Sequence, residues 1–164
     1  MAELRQGVVV SFHRLSSVLC VLRVMPENGR RFPDYKPGQY IALRRDKCHL
    51  TKRVLDANGR PRYVLDVDDA GAPRHGPVTH SYSIASAPFE TARDGHLEFY
   101  VVLEKGDDGL SGRLTASLFR VDPARGDRVG YFDRITGDFT LDKKAAGLRD
   151  VVMVGTGTGV APFV

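Results

Sequence analysis

The apolar run Val151-Val152-Met153-Val154 leads without a break into Gly155-Thr156-Gly157-Thr158-Gly159-Val160-Ala161-Pro162. Few backbones accept that order. Apolar residues without alternation suit a strand buried on both faces of a parallel sheet. Alternate glycines permit a tight turn and a close backbone approach to a phosphate, and proline suits the first turn of a helix. The sequence therefore predicts the opening of a βαβ nucleotide-binding unit over 148–164, with its first strand and glycine-rich turn. A helix from Ala161 would have only about four residues here, far below the ~12 an isolated helix needs, so no stable helix is expected over 155–164. The polar stretch Asp142-Lys143-Lys144-Ala145-Ala146-Gly147 reads as the connector that makes 1–147 a separate domain.

That first domain is predicted to be mainly β. β-branched and aromatic residues recur in short runs over 6–13, 17–25, 39–44, 62–67, 80–86 and 96–103, punctuated by Gly, Pro, Asn and Asp. This spacing fits an antiparallel barrel or sandwich. Asn58-Gly59 reads as a two-residue hairpin turn between Thr51–Leu55 and Tyr63–Val67, and Pro37-Gly38 as a turn feeding the strand from Gln39. One short helix is expected from Ser111 to about Phe119, with Leu114 and Leu118 one turn apart and Ser111 as its N-cap.

Composition excludes several classes. With 42% hydrophobic and 27% charged residues the chain is globular in character, and no apolar run approaches the ~20 residues of a membrane span. The N-terminus lacks the basic-then-apolar pattern of a signal peptide, so a cytoplasmic protein is expected. Cys20 and Cys48 stand in no metal-ligand spacing, and no metal is expected. A net charge of +4 is too mild to imply nucleic acid. The basic stretch Arg44-Arg45-Asp46-Lys47 and Lys52-Arg53 has no interleaved aromatics, and reads as a solvated loop or a docking patch.

Two further segments carry candidate chemistry. In Thr79-His80-Ser81-Tyr82-Ser83-Ile84-Ala85-Ser86, strand alternation puts His80, Tyr82, Ile84 and Ser86 on one face and Ser81, Ser83 and Ala85 on the other. A half-buried strand explains that as well as a ligand site does. Gly109-Leu110-Ser111 precedes the predicted helix, which is the position of a capped helix start or of an anion site.

Taken together, Pro37-Gly38-Gln39-Tyr40, Ser81-Tyr82-Ser83-Ile84-Ala85-Ser86, Leu97-Glu98-Phe99-Tyr100, Leu110-Ser111-Gly112-Arg113-Leu114, Gly126-Asp127, Gly137-Asp138-Phe139 and the terminal glycine-rich turn, in this order, resemble the ferredoxin/flavodoxin–NADP reductases of the bacterial type. The resemblance implies an antiparallel Greek-key barrel that binds FAD, with one short capping helix, followed by the truncated start of an α/β NADP-binding domain. It implies electron transfer between NADPH and a small acidic redox protein, a ferredoxin or flavodoxin, through flavin N5. The reductase component of an oxygenase and a non-catalytic flavin-binding module share the same barrel.

Carried over by position, Tyr82 would pack on the isoalloxazine and Ser83 would hydrogen-bond near N5, as the catalytic pair. His80, Ser81, Tyr100, Gly109, Leu110, Ser111 and Thr158 would complete the FAD site, and Gly155, Thr156, Gly157, Thr158 and Gly159 would meet NADP. Two departures stand out. His80 occupies the position of a phosphate-binding arginine, and the segment 44–78 is longer than in most relatives, with a hairpin placed to cover the adenine end or serve a partner.

Overall fold

The structure, a computed structural model, describes residues 2–106 and 109–163. Six strands form one antiparallel sheet: β1 (Leu4–Arg14), β2 (Leu19–Pro26), β3 (Tyr40–His49), β6 (His75–Ser83), β7 (Leu97–Val102) and β8 (Arg128–Phe132), in the order β6-β3-β8-β1-β2-β7. Between β3 and β6 a separate two-stranded arm is made by β4 (Thr51–Leu55) and β5 (Pro61–Leu65). The mainly β class and antiparallel architecture expected from the sequence are both present.

The sheet curls because its long strands change partners along their length. β1 pairs with β8 over Leu4–Val8 and with β2 over Gly7–Arg14, and bulges interrupt the register between Val9 and Ser11 and, on β3, between Arg45 and Cys48. Bulges sharpen the local twist and bend a strand. Period-2 alternation then fills the concave side: Cys20, Leu22 and Val24 of β2, Ile41 and Leu43 of β3, Leu97, Phe99 and Val101 of β7, and Val129 and Tyr131 of β8 are all buried. Helix α2 (Arg113–Leu118) plugs one mouth of the curl with Leu114, Leu118 and the following Phe119.

Several local expectations are corrected. The helix starts two residues late: Gly112, not Ser111, is its N-cap, with no side-chain cap bond, while Ser111 forms a bridge with Lys105. The arm's turn is not a two-residue I′ turn, because only Gly59 has positive φ (74°). Instead Asp56 N–H donates to Arg60 O, Gly59 N–H to Asp56 O, and Asp56 Oδ1 accepts from the N–H groups of Asn58 and Arg60. This is a three-residue loop, a type I turn closed by a left-handed glycine. The same bonds recur around Asp68 and Gly71.

Helix α1 (Pro88–Asp94) was not expected from the sequence. Its signals are short but real: Pro88 opens it, Glu90 reaches back to the Ala87 N–H at 2.9 Å, and Gly95 closes it in the left-handed region. The connector 142–147 begins as a one-turn helix, α3 (Leu141–Lys144). Residues 151–154 join no strand, and Val152 and Val154 are 87% and 80% exposed. A parallel strand needs ladder partners on its edges, and no described strand lies beside this segment. Where no stable helix was expected, Gly157–Phe163 form a 3-10 helix, which packs on β7 and buries Ala161.

Two outcomes test this packing. Leu118→Ala empties a fully buried plug position, and chemical denaturation is expected to show a loss of about 2–5 kcal/mol. The Lys36 ammonium, followed by the Thr140 hydroxyl, holds the Asp142 carboxyl down at about 2, against 3.8 for a free group. A depressed carboxyl stabilises the fold above its unfolded value and loses that contribution as pH falls through its folded value. The melting temperatures of wild type and Asp142→Asn should therefore differ at pH 6 and converge as pH falls from about 4 to about 2.

Candidate functional site

The ends of the sheet order, β6 and β7, meet where β6 runs out. Ala85 N–H donates to Glu98 O at 2.8 Å, and Glu98 N–H donates to Ser86 Oγ at 3.2 Å. A buried polar knot holds that junction. Tyr35 Oη lies 2.8 Å from Ser86 O, 3.1 Å from Ser86 Oγ and 2.8 Å from Thr91 Oγ1, while Ser86 Oγ and Thr91 Oγ1 are 3.1 Å apart. Burial raises the Tyr35 phenol above its ordinary range, against the smaller opposing pull of Ser86 and Thr91, so the hydroxyl stays protonated and donates. Tyr35 reaches the knot because Pro37-Gly38 turns the chain sharply behind it. Gly38 has φ 91°, and a Cβ there would lie 1.7 Å from Phe139 O, so no other residue fits.

Away from the junction β6 and β7 diverge, and a cleft of about 380 Å³ opens between them. Its lining comes from β6 (His80, Ser81, Tyr82, Ser83), β7 (Tyr100, Val102), Glu104, the start of α2 (Gly112 to Thr115), and Thr158 and Ala161 of the 3-10 turn. The volume lies in the range of small-molecule sites, about 300–1,000 Å³. Tyr82 is held edge-on to Phe99, ring centroids 6.5 Å apart, and burial pushes its phenol far above the usual value. Desolvation raises the Tyr100 phenol as well. Both are neutral hydroxyl-bearing rings at any physiological pH.

Of the residues singled out in the sequence, His80, Ser81, Tyr82, Ser83, Tyr100 and Thr158 come together in this lining. Gly109, Leu110 and Ser111 do not reach it. The Gly109 N–H is spent on Gly106 O, Leu110 O accepts from Gly106 N–H, and Ser111 bridges Lys105. Gly112 to Thr115 stand in the lining instead. Of the residues expected to meet NADP, only Thr158 lines the cleft, while Gly155 is backed so closely by Gly159 that a Cβ would meet its carbonyl at 2.9 Å. Sequence reasoning missed Val102, Glu104 and Thr115 as lining groups. Val102 had a signal, since it shares a strand face with Tyr100. Tyr35 had none beyond its place before Pro37-Gly38.

Chemically the cleft offers the rings of Tyr82 and Tyr100, the hydroxyls of Ser81, Ser83, Thr115 and Thr158, the imidazole of His80 and the cationic Arg113, with Glu104 as the one acid among the lining residues. Arg113 has no ion-pair partner among the described residues, and neither the Ser81 nor the Ser83 hydroxyl has a hydrogen-bond partner there. This donor set suits a flat aromatic group with a polar edge and an anionic tail. Among the described residues no group of three or more His, Cys, Asp or Glu is placed to hold a metal ion, and no helix is long and apolar enough to cross a membrane.

The same fold is found among solved structures. A ferredoxin–NADP reductase from Neisseria gonorrhoeae, solved with bound FAD and NADP, superposes with a TM-score of 0.63 at 20% identity, over 99% of this chain and 50% of its own. The chain has the ferredoxin–NADP reductase fold. The FAD/NAD-binding domain of a nitric oxide dioxygenase from Vibrio cholerae matches this reductase-type fold with a TM-score of 0.54 at 20% identity, over 97% of this chain and 53% of its own. In sequence, a flavohemoprotein of Halalkalibacterium halodurans is 27% identical over 163 residues, 98% of this chain and 32% of that protein. The chain thus spans about a third of the flavohemoprotein and half of the gonococcal reductase. No protein-family model matches it.

The knot joins the two sheet edges beside the cleft, and it can be tested by itself. Tyr35→Phe keeps the ring and removes the hydroxyl from three partners. The expected loss is about 1–3 kcal/mol by urea denaturation, with faster hydrogen exchange at the Ala85 and Glu98 amides, and unchanged exchange there would contradict the assignment.

Proposed function

We propose that this chain is the FAD-binding part of an NAD(P)H-dependent oxidoreductase that exchanges electrons with a small redox protein. The observation that carries the reading is the convergence of His80, Ser81, Tyr82, Ser83, Tyr100 and Thr158 on one cleft between the diverging sheet edges. The FAD and NADP in the gonococcal structure of the same fold support it. The residues fit the group: a polar-edged aromatic plane and an anionic tail are what this lining is built to receive.

Bound FAD would supply the hydride-accepting atom N5 and the two-electron to one-electron conversion that a protein side chain lacks. The chain's own residues do the rest. The Tyr82 ring, fixed by Phe99, provides the stacking face, and the Ser83 hydroxyl both donates and accepts, so it follows a proton at a ring nitrogen through either state. Arg113 provides a permanent charge for the phosphates, which relieves His80 of the part a forked arginine would play. Val102, Leu114 and Ala161 exclude water from the cleft floor. The turn Gly155–Gly159 would bring the nicotinamide nucleotide, NADP(H) in the reading that the resemblance favours, to the side where Thr158 already lines the cleft. A cytoplasmic location fits the unpaired buried thiols of Cys20 and Cys48.

Ferredoxin or flavodoxin is the acceptor in this proposal. The same cleft would serve an oxygenase reductase equally, and reduction of the candidate acceptors separates the two.

FAD titration followed by flavin fluorescence is expected to saturate with this chain. His80→Arg should tighten binding about tenfold, the effect of one added charge-assisted hydrogen bond, and Arg113→Ala should weaken it by a similar factor. No saturable change with FAD in large excess would end the proposal. Equal affinities in all three proteins would remove His80 and Arg113 from the phosphate end.

A further inference from the structure

The segment the reading of the cleft does not use is the arm. Residues 51–65 carry four basic side chains, Lys52, Arg53, Arg60 and Arg62, against the single acid Asp56, so most of the chain's net charge of +4 is concentrated in this one hairpin. Asp56 offsets one of these charges and leaves the hairpin at +3, while its Oδ1 accepts from the turn's backbone N–H groups. Lys52 is partnered by Asp66 at 3.6 Å. Arg53, Arg60 and Arg62 have no ion-pair partner among the described residues.

Strand pairing then creates what the linear sequence hides. Arg53 lies opposite Tyr63 and Leu55 opposite Pro61, and directly opposed residues share a face. That face therefore carries Leu55, Pro61 and Tyr63 together, with Arg53 beside them and Arg60 at the turn. Leu55 is 67% and Tyr63 55% exposed. Val54 and Val64, on the reverse face, are half-buried. A two-stranded ribbon is marginal in water by itself. This one is preorganised by the Asp56 turn at its tip and by backbone bonds at its root, Leu50 N–H to Arg74 O and Arg74 N–H to Asp66 O.

We propose that this face of the arm is a docking surface for an acidic protein partner, one that presents an exposed apolar side chain ringed by carboxylates. The composition is that of an interface centre, with Tyr, Leu and Pro between unpaired arginines. Nucleic acid is the poorer fit. A single-stranded site needs successive aromatic platforms, and Tyr63 is the arm's only ring. The contact is a tether and not the point of electron exchange. The arm leaves the barrel at the His49–His75 pairing, eight residues from Ser83 along β6, or about 26 Å at about 3.3 Å per residue. The docking assignment is independent of the flavin reading, because none of these residues lines the cleft.

The test uses a fluorescein-labelled synthetic peptide with Leu and Phe flanked by Asp and Glu, a control peptide with Ser in place of Leu and Phe, a single-stranded oligonucleotide, and phosphatidylserine/phosphatidylcholine vesicles. The acidic apolar peptide is expected to bind saturably, weaken with added salt, and lose at least tenfold in affinity to both Arg53→Glu/Arg60→Glu and Tyr63→Ala. FAD titrations and melting curves of these variants are expected to match wild type, which separates this result from failure of the flavin reading. The proposal is overturned by absent peptide binding, by binding that survives both variants, by equal binding of the Ser control, or by an oligonucleotide or vesicle that binds more tightly through the same residues. If either variant melts early, Arg53→Gln with Tyr63→Ser replaces it, and unchanged peptide affinity there overturns the proposal equally.

Discussion

The barrel is closed by very little: one backbone hydrogen bond from Ala85 to Glu98, and beside it a hydroxyl knot of Tyr35, Ser86 and Thr91. The other strand pairs run over five or more register positions, except β3 and β8, which meet over two. This asymmetry governs the molecule. If the two edges paired along their whole length there would be no cleft, and if they did not meet at all the curl would leave unpaired edges at both ends. Joining them at one point gives a wedge, closed at Ala85 and open from Ser83 back to His80. The knot is centred on the buried Ser86, with Tyr35 and Thr91 half-buried around it, and each of its hydroxyls is satisfied by another member. Such a network is expensive to break and holds one geometry.

The wedge also sets how the site divides its chemistry. At the narrow end the lining is aromatic and fixed, with Tyr82 braced by Phe99. The rest of the lining is polar and charged, with His80, Arg113 and Thr115 among its residues. α2 is only six residues long, so its dipole is small, and side-chain groups carry more of the load toward an anion than the helix start does.

The strands were legible because alternation is a direct imprint of one buried face: Leu97, Phe99 and Val101 mark β7 within one residue of its ends. That Tyr82, Ser83 and Tyr100 come together at one cleft was legible because they sit on strands whose register cannot slip without burying the wrong side chains. What could not be read was non-local. Tyr35 acts through partners 51 and 56 residues away, and its loop carries no periodicity. That Gly112 to Thr115 line the cleft, and Gly109 to Ser111 do not, could not be read either, because a left-handed glycine at 109 closes a turn onto Gly106 before the helix begins. The run 151–154 looks like a buried strand by composition, yet strandhood in a parallel sheet depends on neighbours that composition does not reveal.

The central claim is that the wedge between β6 and β7 is where a flavin sits. Amide chemical-shift mapping of the isotope-labelled chain on addition of FAD tests it most directly. The account predicts that the largest changes fall on Ser81, Ser83, Tyr100, Arg113 and Thr115, with the arm over 51–65 unmoved. Changes centred instead on the outer face of β1 and β2, at Ser11, His13 and Val21, would contradict it.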